Sequence, residues 1–290
     1  MRNLSTLAWR VYDAPTKPWH GVVADTEGDD SVYVLRVERR DGVSQLTLAH
    51  ITPTGTEELA VLEVASAPPH VPDVADFRLL ADGGSSVNHM PAICVIGSGG
   101  DIVLMPVDEE ASAPAEVVGS VDQGILAAAW SPEEDVLVLI TGGEKRLIVM
   151  TREFEGMSET MLSTEAFGGD QPVNVGWGSK STQFHGSEGK QAAMAAANAP
   201  EESDPRGPLV PEDDGLPRIS WRGDGAFFVT SSAEASHDTV HRILRTYTRT
   251  GTLSATSDRS VRGISHVLAC RPTGNLIATT QRMGGPWAPG

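Results

Sequence analysis

Cysteine is nearly absent: Cys94 and Cys270 are the only two in 290 residues, far apart and in no CxxC pair. That excludes a disulfide-stapled small domain and any cysteine-rich metal ribbon, and it suits a reducing cytoplasmic or nuclear setting with two buried thiols. Positive charge is also scarce. Twenty-two Lys and Arg face 39 Asp and Glu, a formal charge of -17 and a pI near 4.8. Gripping a polyphosphate backbone needs clustered cations, which this balance argues against. The densest basic runs, RVERR (36–40) and RILRTYTR (242–249), read as solvated strand edges and turns. No apolar run approaches the roughly 18 residues that cross a bilayer, and MRNLSTLAWRVY has no signal-peptide pattern. Sustained helical periodicity is missing as well. Only KQAAMAAANA (190–199) is helix-prone.

What remains is strand, and 40% hydrophobic residues suffice for a core. SVYVLRVERRDGVSQLTLAHI (31–51) reads as two strands around Asp41-Gly42. PAICVIGSGGDIVLMPV (91–107) repeats the pattern around Gly99-Gly100, DVLVLITGGEKRLIVMTRE (135–153) around Gly142-Gly143, and RILRTYTRTGTLSATSD (242–258) around Gly251.

Aligned strand ends reveal a period. ILAAAW ends at Trp130, VNVGW at Trp177, RISW at Trp221 and HVLAC at Cys270, spaced 47, 44 and 49 residues apart. Short antiparallel strands recurring near every 45 residues are the signature of β-propeller blades. An apolar strand follows three of these anchors: VLVLIT, AFFVTSS and LIATTQ. These runs are continuous because an inner blade strand is buried on both faces. The small residues before the anchors (Ala127, Ala128, Ala129, Gly176, Ser220, Ala269) suit crowding near a central axis. The expectation is an all-β, WD40-like β-propeller with about six blades represented, the first two poorly marked. MTRE and YTR stand where a WD dipeptide belongs. The Ala, Pro, Glu and Asp-rich segment at about 190–216 reads as a mobile insertion.

Motifs for chemistry fail one after another. GSEGK (186–190) resembles the end of a phosphate loop, but Phe184 replaces the first glycine and Gln191 the hydroxyl residue. No G-x-S-x-G elbow exists, and GSGGD (97–101) is a hairpin turn. His237 and His241 lack companions for a metal site and read as exposed loop or strand histidines. Asp213-Asp214 and Glu133-Glu134 read as solvated turns. His185 reads as a buried hydrogen-bonding imidazole ahead of an interface contact or a catalyst. No catalytic, cofactor or metal site is expected.

One resemblance is specific. Residues 173–178 (VNVGWG), Thr182-Gln183-Phe184-His185-Gly186-Ser187-Glu188-Gly189-Lys190, Leu216 to Gly225 (LPRISWRGDG), Arg271 to Ala278 (RPTGNLIA) with Gln281, and Met1 to Leu4 strongly resemble the N-terminal region of the largest Elongator subunit. This implies a non-catalytic scaffold in a complex that modifies the wobble uridine (U34) of tRNA. It further implies two N-terminal propellers, of which residues 1–290 would be most of the first: an incomplete seven-bladed ring. Implied partners are the other Elongator subunits, including a catalytic radical-SAM and acetyltransferase-like one, with tRNA reached through the complex and no membrane. Family dimerisation uses a C-terminal region absent here. The implied location is the cytoplasm, with the nucleus as a second compartment. The resemblance makes Trp177, Gln183, Phe184, His185, Gly186, Ser187, Glu188, Gly189, Lys190, Trp221, Arg222 and Asp224 a structural or interface motif. The TQFHGSEGK block would organise a loop on one rim, Phe184 packed inward and His185, Ser187 and Glu188 bonding locally. The alternatives are a generic WD40-like interaction module unrelated to tRNA, and a propeller hydrolase, which would need ionisable side chains converging on the axis.

Overall fold

The computed structural model describes residues 19–24, 31–80, 91–107, 114–162, 208–236, 239–257 and 263–281. All regular structure in them is β-strand, grouped into two compact units. The first unit holds β1 (Trp19–Ala24), β2 (Val32–Arg40), β3 (Val43–Ile51) and β4 (Thr56–Ala65) as one antiparallel meander. A second meander comprises β5 (Val74–Leu80), β6 (Ala92–Gly97), β7 (Asp101–Pro106) and β8 (Glu116–Ser120). The expected hairpins are in place. β2 and β3 pair from Val32↔Ile51 to Arg40↔Val43, with Gly42 in the turn at φ 86°. β6 and β7 close around Gly100, φ 119°.

The two sheets of this unit share a core of Leu35, Leu46, Leu48, Ile93, Val95 and Met105, each essentially inaccessible. Two glycines set the distance between them. A Cβ on Gly21 would lie 2.6 Å from the Phe77 ring, and one on Gly99 would overlap the Ala65 carbonyl at 2.0 Å. Asp101 reinforces the joint, accepting from Ala65 N (2.7 Å) and Ser120 Oγ (2.9 Å).

The second unit repeats the meander. β9 (Ile125–Trp130), β10 (Val136–Thr141), β11 (Arg146–Thr151) and β12 (Gly156–Met161) form one sheet. β13 (Arg218–Trp221), β14 (Phe227–Ser236), β15 (Thr239–Thr248) and β16 (Leu253–Thr256) form the next, and β17 (Ile264–Cys270) with β18 (Ile277–Gln281) a two-stranded sheet. Trp130, Trp221 and Cys270 each end the first strand of a sheet, as their spacing predicts. The fourth anchor, Trp177, and the helix-prone segment 190–199 lie outside the described residues. Gly143 (φ 52°) and Gly251 (φ 86°) occupy the other two expected turns.

Continuous apolar runs do mark strands buried on both faces, for β6 (AICVIG) and β10 (VLVLIT) are buried at every position. The third run behaves differently. LIATTQ, expected to be an inner strand, contains β18, which is exposed along most of its length, with Leu276 at 50% and Ile277 at 38%. The reason is visible in its sheet, which among the described residues has two strands where each of the others has four. The described end of the expected insertion, 208–216, is not free either. Leu209 N donates to Val240 O at 3.1 Å, and Asp213 is tied to β15 as set out below.

Asp76 on β5 carries a largely buried carboxyl. Burial pushes its pKa up to about 6, against the opposing pull of the Phe77 amide and of Arg78. A folded-state pKa above the ordinary value favours folding at low pH, and that contribution is lost as pH rises from about 4 to about 6. Asp76→Asn is therefore expected to flatten the pH dependence of urea stability across that window. It should also add about 1–2 kcal/mol at pH 7.5, below the ~3 kcal/mol of a full shift because the residue is partly exposed.

Candidate functional site

The turns that follow the three described anchors, Trp130, Trp221 and Cys270, share one backbone design. After Trp130, Ser131 N donates to Val136 O (2.8 Å) and Glu134 N to Ser131 O (3.0 Å). After Trp221, Arg222 N donates to Phe227 O (3.0 Å) and Gly225 N to Arg222 O (2.9 Å). After Cys270, Arg271 N donates to Leu276 O (2.9 Å). The fourth residue past each anchor is left-handed: Glu134 at φ 60°, Gly225 at 66° and Gly274 at 89°. Glycine has no steric penalty there, whereas glutamate does.

Side chains join neighbouring sheets through these turns. Arg222, one of the expected motif residues, reaches forward to Asn275 Oδ1 (2.5 Å), grips Asp224 Oδ2 (2.6 Å) and lies 5.3 Å over the Phe227 ring. Asp224 Oδ1 accepts from Ala226 N at 3.1 Å; that amide bond and Arg222 hold its carboxyl below the usual range. Arg249 reaches the other way, pairing with Asp135 and donating to Gly225 O (3.1 Å). Trp221 donates its indole N–H to Ala129 O at 3.2 Å. Its ring heads a cross-strand ladder with Phe228 (4.9 Å) and Tyr247 (5.3 Å between centroids). Cys270 N donates to Ser220 Oγ (2.9 Å) and its thiol to Ser220 O (3.3 Å); burial pushes the thiol pKa up, making it a poor nucleophile. Gly223 lets the adjacent turn close in, since a Cβ there would sit 2.6 Å from Pro272 O.

At the opposite end of the β14–β15 hairpin the sheet buries charge on both faces. On one, the Arg242 and Asp213 side chains are fully inaccessible and meet in a bidentate pair, Nε to Oδ2 at 2.5 Å and Nη2 to Oδ1 at 2.6 Å. The remaining guanidinium hydrogens go to Leu216 O (2.9 Å) and to Ser231 O and Oγ (both 3.3 Å). Burial alone would raise the Asp213 pKa, but the Arg242 hydrogen bonds and the Gly215 amide outweigh it and hold the carboxyl low. On the other face Arg245 pairs with Glu234, which also accepts from Ser232 Oγ (3.0 Å). The expected solvated run 242–249 is thus a pair of interior ion pairs, and Asp213 is no solvated turn. His241, expected to be exposed, is 2% accessible on β15.

Trp221, Arg222 and Asp224 therefore converge on one joint. Trp177 and Gln183, Phe184, His185, Gly186, Ser187, Glu188, Gly189 and Lys190 lie outside the described residues, as does His237. Sequence reasoning missed Asp135, Asn275 and Arg249. The signal for the first two was the fifth residue after each anchor. Among the described residues no group of three or more His, Cys, Asp or Glu is placed to hold a metal. Arg222 with Asp224 and Asn275, and Arg249 with Asp135, bond to one another across the turns, so the joint works as a structural device built on hydrogen bonds and ion pairs.

Comparison with known proteins assigns this architecture. Residues 1–285 match the family model described as the ELP1 first N-terminal beta-propeller. The chain belongs to that family. It is 34% identical to Elongator complex protein 1 of Mus musculus over 292 residues, covering 97% of this chain and 19% of the relative. The Drosophila melanogaster protein is 39% identical over 194 residues (66% of this chain, 14% of the relative), and that of Schizosaccharomyces pombe 37% over 190 (65% and 15%). The chain thus spans less than a fifth of the length of these relatives. The β-propeller expected from the repeat is the family's fold.

Two outcomes test the buried pair and the joint. Asp213→Asn strands a buried guanidinium and is expected to cost about 3–5 kcal/mol in denaturant unfolding, while Arg242→Met with Asp213→Leu recovers much of that loss. Because Asp213 is held low, the wild-type advantage is present at neutral pH and fades as pH falls below about 4. Gly223→Ala should cost about 1–3 kcal/mol, whereas Gly55→Ala, with nothing near its would-be Cβ, should be close to neutral in the same measurement.

Proposed function

We propose that this chain is a non-catalytic, protein-binding propeller of the Elongator scaffold subunit, supporting tRNA wobble-uridine modification through contacts with other subunits. The observation that carries the reading is the ELP1 propeller match over residues 1–285. Two physical features support it. Arg222 and Arg249 of the described turns reach side chains of neighbouring sheets, which suits them to holding shape. The charge of -17 favours reaching tRNA through partners over binding it directly. In this reading the TQFHGSEGK loop and the Trp221–Asp224 turn belong to a rim that partner subunits contact, in the cytoplasm and in the nucleus.

A clean deletion strain is expected to lose carboxymethyl-type modification at wobble uridine, measured by mass spectrometry of digested tRNA. The tagged chain should co-purify with the radical-SAM and acetyltransferase-like subunit. Fully modified tRNA in the deletion strain would overturn the proposal, and a stable partner set lacking Elongator subunits would identify a generic interaction propeller instead.

A further inference from the structure

Where β3 turns into β4, residues 53–58 (PTGTEE) are exposed without a break. A Cβ on Gly55 would meet nothing within 4 Å, so the turn is open at its tip. The stretch holds a hydroxyl followed three residues later by a carboxylate, Thr54-Gly-Thr-Glu57. Among the described residues that spacing occurs at four other places: Ser98 before Asp101, Ser131 before Glu134, Thr141 before Glu144 and Ser231 before Glu234. Those four hydroxyl residues are at most 2% accessible, so the folded chain withholds them from any enzyme. Thr54 is exposed.

We infer that Thr54 is a phosphorylation site for an acidophilic serine/threonine kinase, one whose basic groove reads the carboxylate of Glu57. Glu57 has no ion-pair partner among the described residues and is free to meet an arginine or lysine of the kinase, whereas Glu58 already lies 3.7 Å from Arg36. The turn does not need the Thr54 hydroxyl. Thr52 N donates to Gly55 O (2.9 Å), and Thr52 Oγ1 accepts from Thr54 N (3.3 Å) and Gly55 N (3.2 Å). Thr54 Oγ1 meets only Thr52 Oγ1, at 2.9 Å, so esterifying it leaves the backbone bonds of the turn intact. The same bonds tell against Thr52 as the acceptor, since its hydroxyl holds two amides. In the transfer, Thr54 Oγ1 attacks the γ-phosphorus of kinase-bound ATP. An O–P bond forms, the bond from that phosphorus to the β,γ-bridging oxygen breaks, ADP departs with the electron pair, and the hydroxyl proton passes to the kinase's base. This inference does not rest on the Elongator reading.

The test incubates the purified full chain with ATP and an acidophilic serine/threonine kinase, then maps phosphate by fragment spectra that separate Thr52, Thr54 and Thr56. Phosphate is expected on Thr54 and on none of Ser98, Ser131, Thr141 and Ser231. Thr54→Ala should abolish the signal from the turn, and Thr54→Ser should restore it. Glu57→Gln, an exposed and unpaired position, should lower the initial rate at Thr54 by about tenfold, the loss of one charge-assisted contact. Thr56→Ala should leave the rate unchanged. The folded chain taking up no phosphate at Thr54 overturns the inference. So does phosphate on Thr52 or Thr56 in its place, or a rate at Thr54 indifferent to Glu57→Gln.

Discussion

A guanidinium removed from water must be matched in charge and in every hydrogen bond, and the Arg242–Asp213 pair meets that demand inside a β-sheet. Desolvating both ions is costly, so the pair is weak as a source of net stability. Its value is positional. Arg242 projects from β15, Asp213 belongs to the segment leading into β13, and Leu216 O and Ser231 complete the shell. The geometry is satisfied only when the segment, both strands of the hairpin and the approach to β13 are all in place. The Arg245–Glu234 pair applies the same logic to the other face of the hairpin.

The end of the sheet near the turns works by shape. The Trp221–Phe228–Tyr247 ladder is apolar, with one indole N–H spent on Ala129 O, and Gly223 lets Pro272 close in. One sheet thus uses ions where it receives an irregular segment and aromatic packing where it meets regular neighbours. A propeller needs both, because its turns stay put only if the sheets beneath them do.

Much of the fold was legible in the sequence because strands leave local marks. The paired apolar runs around Gly42, Gly100, Gly143 and Gly251 became hairpins, and Trp130, Trp221 and Cys270 fell into register as strand ends. The buried charges were not legible. Arginine at 242 and 245 reads as surface until a carboxylate is placed beside it, and Asp213 lies 29 residues upstream in a turn-like stretch. Whether a charged strand residue is interior depends on a long-range partner, which periodicity does not encode. The exposure of β18 among the described residues was hidden for a similar reason, since an apolar run looks the same with two described neighbours or one.

The left-handed residue after each anchor has a meaning beyond local strain. Glu134, Gly225 and Gly274 share a dihedral angle but not a chemistry, and Ser131, Arg222 and Arg271 share a backbone role but not a charge. The repeat is therefore written in torsion angles and only faintly in letters. Such a chain can drift far in composition, without a tryptophan–aspartate signature, while the three described sheets of the second unit keep the same handed corner. Kinship among its blades is geometric, and a search for lettered repeats would undercount them.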